Sequence, residues 1–171
     1  MLLPFILFGA LVGATVCQVV HFYPHLPDVV VSHWGPGGQP DGWLNKVAFF
    51  WAMIISELGT TGVFFAIAFS LPYIPKRWWN LTHKDYWLAP ERRPSTVRYV
   101  QIHMLWGAVI IQAAMVLLWQ STINANVKPE LHWPADFWWT LIITAVIFVV
   151  WMVRFIRHLS SVPSTGEIHR R

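Results

Sequence analysis

Four stretches of this chain are long and apolar enough to cross a bilayer, and nothing else in the sequence constrains its fold as much. A spanning helix needs about 20 largely apolar residues, with a working range of about 17–25, and residues 2–20, 47–71, 99–119 and 137–153 each meet it. None alternates strictly between apolar and polar residues as a membrane β-strand does, so the spans read as helices. Composition agrees. Only 12% of the 171 residues are charged, against roughly a quarter in a soluble domain. With 56% hydrophobic residues, 12 Trp and 11 Phe, the chain has too little charge to cover a soluble globule and too much apolar surface for disorder. The expected fold is an all-α integral membrane protein with four transmembrane helices. No internal repeat or long linker divides it, so residues 1–171 read as one polytopic domain. The single Cys17 leaves no disulfide framework or CxxC motif.

Orientation follows from where the basic residues fall. The connection between the second and third spans holds Lys76, Arg77, Lys84, Arg92, Arg93 and Arg98, and the tail holds Arg154, Arg157, Arg170 and Arg171. The other two connections hold Lys46 and Lys128, one each. This bias predicts that both termini and the middle connection are cytoplasmic, with residues 21–46 and 120–136 outside. The first span resembles a signal peptide in length. It lacks a Lys or Arg ahead of its apolar run, however, and Val16 before Cys17 is a poor fit to a lipoprotein cleavage site, so it is read as a helix. Trp78, Trp79, Trp87, Trp119, Trp133, Trp138 and Trp139 fall at expected helix ends, as an interfacial aromatic belt would place them.

The outer connection is dense in turn formers. After Pro27 and Asp28 come Val29 to Val31, a candidate extended piece, then His33-Trp34, then the glycines and prolines from Gly35 to Gly42, and finally Trp43 and Lys46. Pro40-Asp41-Gly42 reads as a tight turn returning the chain to the membrane. Such a segment is expected to pack as a small cap over the outer end of the bundle. His33 and Asp41 are expected to cap turns and bond loop backbone, with Lys46 balancing Asp41. His21, His25 and His33 could together approach a zinc-type ligand set, although Pro24 argues against His21 and His25 sharing a helical face. The expectation is that the segment binds no metal and the chain no cofactor.

Pro27, His33, Gly38, Pro40, Asp41 and Lys46, together with a second block at residues 85–93 that ends in Glu91-Arg92-Arg93, make the chain similar to a bacterial membrane domain of unknown function. That domain is found at the N-terminus of Sdp-type toxin-immunity proteins. The resemblance spans about the first 120 residues, and it implies binding of an extracellular toxin relayed to a cytoplasmic repressor. It also places the chain in a bacterial cytoplasmic (inner) membrane. Those proteins carry a further multi-helix C-terminal portion, whereas this chain offers one more helix and a short tail.

Inside the spans the only acidic, basic or histidine side chains are Glu57 and His103. Glu57 lies ten residues into the second span, about 15 Å deep, where a charge is costly, so it is expected to face the bundle, protonated or paired. Gln112 reaches a similar depth from the third span and is the expected partner, with helix-two hydroxyls as the alternative. Functionally, Glu57 reads either as a proton or cation site or as a neutral acid bonded to a neighbouring helix. His103 reads as an interfacial or inter-helix hydrogen-bonding residue rather than a haem ligand. Glu91, Arg92 and Arg93 read as a membrane-flanking anchor or as a contact for a partner or anionic lipid.

No catalytic fingerprint is present, and the basic residues flank spans rather than gather on a domain, which argues against nucleic acid. The expected function is non-enzymatic: an accessory subunit of a larger membrane complex, or a sensor or immunity-type protein that binds a partner. The partners expected are other membrane subunits, the lipid bilayer and an extracytoplasmic peptide ligand. The candidate partner-binding residues are His33, Trp34, Asp41, Trp43, Lys46, Glu91, Arg92 and Arg93. The alternative is a component of proton- or ion-coupled transport centred on Glu57.

Overall fold

The computed structural model describes residues 2–127 and 135–162. Four long helices, α1 (Leu2–Phe22), α2 (Lys46–Ser70), α4 (Arg93–Val127) and α5 (Ala135–Ser160), account for most of it. A hairpin of β1 (Val29–Trp34) and β2 (Pro40–Asn45) joins α1 to α2, and a one-turn helix α3 (Lys84–Trp87) lies in the connection from α2 to α4. All four long helices are long and apolar enough to cross a membrane, which marks a multi-pass membrane protein.

The burial pattern inverts that of a water-soluble bundle. The residues α1 buries are Pro4, Thr15 and Gln18, while Leu2, Val16 and Val20 face outward. Glu57, Thr61 and Gln112 are almost completely buried. In lipid an outward Leu loses nothing, whereas an outward polar group would lose its hydrogen bonds. Polar side chains therefore turn toward other helices, and α4 is the helix they turn toward. It packs against α1, α2 and α5.

At 35 residues, or about 52 Å, α4 outruns the expected span 99–119 at both ends. Hydropathy marks only the part of a helix that lies in lipid. Beyond it the helix continues because Gln120, Ser121, Asn124 and Asn126 find polar partners. Residues 120–127 are therefore helix rather than outer connection. Residues 128–134, with Lys128 and Trp133, lie outside the described residues, as do Arg170 and Arg171.

The turn between residues 21 and 46 also differs from expectation. Pro40, Asp41 and Gly42 belong to β2, and the chain reverses at 35–39, where Gly35 N donates to Gln39 O (2.9 Å) and Gly38 N to Gly35 O (2.9 Å). Gly38 adopts φ 75°, a left-handed conformation that favours glycine. Pro40 is tolerated because it begins a strand. Gly42 faces His33 across a bulge, and a Cβ there would lie 2.9 Å from the His33 Cβ, so the close approach of the strands requires glycine.

At the opposite end, Leu71, Trp79, Leu88, Val97, Val100 and Leu159 form an apolar cluster. Trp87 Nε1 donates to the Leu159 carbonyl (2.8 Å), tying the α2–α4 connection to the end of α5. Trp78, Trp138 and Trp139 are exposed as an interfacial belt requires, but Trp79 is buried and Trp119 packs on Phe49. These two serve packing because their positions face neighbouring elements rather than lipid.

Candidate functional site

Two constellations stand out, a polar core inside the bundle and the hairpin above it. In the core, Thr15 Oγ1 donates to Glu57 Oε2 (2.6 Å) and Gln112 Nε2 donates to the same oxygen (2.8 Å). Thr61 Oγ1 donates to the Glu57 carbonyl (2.7 Å), closing the helical turn below. The depth argument joins Glu57 to Gln112, and the structure adds Thr15 of α1. Within the same face of α1, Gln18 Nε2 donates to Gln120 Oε1 (3.0 Å) and to the Val116 carbonyl (2.9 Å). Among the described residues no cationic side chain forms an ion pair with Glu57. Its Oε1, and Oε1 of Gln112, are buried without a hydrogen-bond partner.

The hairpin is fastened to α4 by Asn126. Its Nδ2 donates to the Val31 carbonyl (2.9 Å) and its Oδ1 accepts from the Val31 N–H (2.7 Å), so one side chain takes the place of a third strand. Beneath, Val30 joins Leu26, Phe49, Phe50, Met53 and Ile123, while Val31 and Trp34 pack on Ala125. Val29, His33, Asp41 and Trp43 are exposed, whereas Val31, the cross-strand partner of Trp43, is covered by the end of α4. Trp43 is 56% exposed. Trp34 is buried and belongs to the hairpin's foundation.

The expected Lys46–Asp41 pairing is not formed. His33 Nδ1 pairs with Asp41, and Lys46 Nζ lies 3.6 Å from Asp28 and donates to the Leu26 carbonyl (3.2 Å). Register explains the exchange: Val29 opposes Asn45, so Asp28 falls beside Lys46, and the Lys46 N–H donates to the Asp28 carbonyl (2.9 Å). Nor do His33 and Asp41 cap turns, because both sit in strands with their side chains facing each other. His25 Nδ1 lies 2.8 Å from the His21 carbonyl, with His33 committed to Asp41. Among the described residues no group of three His, Cys, Asp or Glu side chains could hold a metal.

His103 stacks between Trp151 (4.4 Å between ring centres, 9° between planes) and Phe155 (4.3 Å, 15°) of α5. Stacking on α5 holds its ring at the inter-helix contact where the sequence places it. Arg92 and Arg93 are largely occupied at home. Arg92 Nε donates to the Tyr86 carbonyl (2.8 Å) and its guanidinium covers the Tyr86 ring, while Arg93 Nη2 donates to the carbonyls of Pro72 (3.2 Å) and Ile74 (3.0 Å). Glu91 pairs with Arg92 and stays exposed.

Residues 10–56 match a family described as a domain of unknown function (DUF1648). No curated protein and no solved structure matches the chain. The matched segment runs from α1 through the whole hairpin into α2, ending one residue before Glu57. It is shorter than the first 120 residues over which the sequence resemblance extends, and it supports a membrane domain of unknown function without the toxin-immunity setting.

Proposed function

We propose that this protein is a non-enzymatic, partner-binding subunit of the bacterial cytoplasmic membrane, and that the outward face of its hairpin is the recognition surface. The observation behind this reading is the hairpin's division of labour. Val30, Val31, Trp34 and Asn126 seal the hairpin to the bundle, while Trp43 and the His33–Asp41 pair stay exposed. A rigid exposed Trp with a polar pair at its edge offers large apolar contact at low entropic cost, the usual make-up of an interface hot spot.

Charge placement supports an extracytoplasmic hairpin. Lys76, Arg77, Lys84, Arg92, Arg93, Arg98, Arg154 and Arg157 gather at the far end of the bundle, and Lys46 alone lies beside the hairpin among the described residues. An accessory subunit would use this surface on a neighbouring membrane protein, and an immunity-type receptor would use it on an extracytoplasmic peptide. Isolation from native membranes in mild detergent separates them: a membrane protein in fixed ratio identifies the subunit, and a released peptide identifies the receptor. Trp43→Ala should reduce the co-purifying partner at least about tenfold. Recovery of the wild-type chain as a partnerless monomer would refute the reading.

A second reading, proton- or ion-coupled transport centred on Glu57, has one observation in its favour. Polar side chains continue from Glu57 and Gln112 through Gln18 and Gln120 to Asn124 toward the hairpin end. Flux through reconstituted liposomes that disappears in Glu57→Gln would support it over partner binding.

A further inference from the structure

Toward the end of the bundle opposite the hairpin, an open groove of about 690 Å³ lies between α4 and α5. Tyr99, His103 and Trp106 line it from α4, and Val146, Val150 and Arg154, at successive turns, line it from α5. Val146, Val150 and Arg154 are exposed, so the α5 side is reached from outside the bundle. At Tyr99 the groove adjoins a second cavity of about 220 Å³, lined by Tyr99 again, by Ser95 of α4 and by His158 of α5. Ser95 and His158 are exposed as well.

The chemistry changes along this groove. Tyr99 follows the start of α4 at Arg93, and Arg154 precedes the end of α5 at Ser160, by the same number of residues, which puts both about 9 Å inside their helix ends. Val150 and Val146 lie about 6 and 12 Å deeper. A cation and hydroxyl groups thus stand at the outer level and aliphatic side chains below them, the order of headgroup and acyl chain in a lipid. Arg154 is also uncommitted. Among the described residues no acid pairs with it, whereas Arg92 and Arg93 are held by backbone carbonyls. Arg157 and His158 follow on the same side of α5, and no Asp or Glu lines either cavity among the described residues. The groove therefore fits a molecule that is anionic at one end and apolar at the other, and it offers no counterpart to an ammonium group.

We infer that the α4–α5 groove binds one anionic phospholipid of the phosphatidylglycerol type, its phosphate on the Arg154 guanidinium and the Tyr99 hydroxyl and an acyl chain along Val150 and Val146. A guanidinium meets phosphate oxygens with paired donors, and basic pockets between spanning helices suit anionic headgroups. A zwitterionic lipid brings the same phosphate, but its ammonium meets Arg157 and His158 instead of a carboxylate. The site lies at the opposite end of the bundle from the hairpin, so its loss leaves hairpin recognition intact.

The test reconstitutes the full chain in vesicles holding equal amounts of dioleoyl phosphatidylglycerol and dioleoyl phosphatidylethanolamine, extracts it in mild detergent and reads the retained lipid by intact-mass spectrometry. The expected result is one phosphatidylglycerol per chain, favoured over phosphatidylethanolamine by at least about fivefold, the discrimination one basic side chain provides. Arg154→Gln should erase that preference, whereas Arg77→Gln, an exposed basic residue of the α2–α4 connection, should keep it. Val150→Trp, which fills the apolar part and leaves Arg154 in place, should abolish retention. Inorganic phosphate should not displace the lipid. Equal retention of both lipids, equal losses in Arg154→Gln and Arg77→Gln, or unchanged retention in Val150→Trp overturns the assignment. So does displacement by phosphate alone, which marks a free-anion site, or recovery of a lipid-free dimer, which marks a helix interface.

Discussion

The two sides of α4 are built from different chemistry. Toward α1 and α2 it presents Gln112, Gln120 and Asn126, each bonded to a named atom of a neighbour. Toward α5 it presents Tyr99 and His103, stacked on Phe155 and Trp151, with Gly107 close to both Phe64 of α2 and Trp151 of α5. In lipid, apolar contact alone distinguishes poorly between helix–helix and helix–lipid packing. Directional hydrogen bonds fix which residues meet, and the polar side accordingly gathers three elements, α1, α2 and the hairpin. Flat rings tolerate sliding, and along most of its length α5 is held by them, with the Ser121–Asp136 hydrogen bond at one end.

Substitutions along α4 sharpen that contrast, and the largest effect should come from Asn126. Asn126→Leu leaves the Val31 N–H and carbonyl buried and unpaired, about 1–3 kcal/mol for each group. Amide exchange at Val31 should accelerate at least about tenfold, while exchange in α5 stays unchanged. Next comes Gly107→Ala. The added Cβ would lie 2.7 Å from Phe64 and 3.0 Å from Trp151, and overpacking of this kind costs about 1–3 kcal/mol. Thermal unfolding in detergent should fall, and the Phe64→Ala background should recover part of the loss.

Smaller differences follow from exchanging one chemistry for the other. Glu57→Gln keeps an acceptor for Thr15 and should change stability by less than about 1 kcal/mol, whereas Glu57→Leu strands the donors of Thr15 and Gln112. On the aromatic side His103→Phe keeps the stack and should also stay within about 1 kcal/mol. A loss in His103→Phe equal to that in Glu57→Leu would erase the proposed contrast. The smallest effect belongs to the exposed pair of Lys76 Nζ and Asp85 Oδ1 (2.8 Å). Hydrogen bonding to Lys76, and then its charge, hold the Asp85 carboxyl below its ordinary value of 3.8. The pair's contribution is therefore present above that value and disappears as pH falls through the lowered one. Unfolding midpoints of wild type and Asp85→Asn should differ slightly at neutral pH and converge in acid.

What the sequence discloses, and what it hides, follows the same division. The four spans are legible because apolar length is a local property, and Glu57 with Gln112 because depth along a helix is simple arithmetic. Thr15 and Gln18 were open to the same arithmetic, being three residues apart and so on one face of α1. Asn126 was not, since it lies beyond the apolar span, and its role depends on a strand 95 residues away. Likewise Pro40-Asp41-Gly42 has turn composition but strand geometry, because Gly42 answers a steric demand from His33 that no local pattern records. Lys46 met Asp28 rather than Asp41 for a reason of register, which is set by the whole hairpin.

Recognition by the outward hairpin face is tested most directly by placing a photo-crosslinking residue at Trp43 and another at Val146, an exposed position on α5, and irradiating native membranes. The account predicts one dominant protein or peptide adduct at position 43 that is absent at position 146. No adduct at position 43, or the same pattern at both positions, would contradict it.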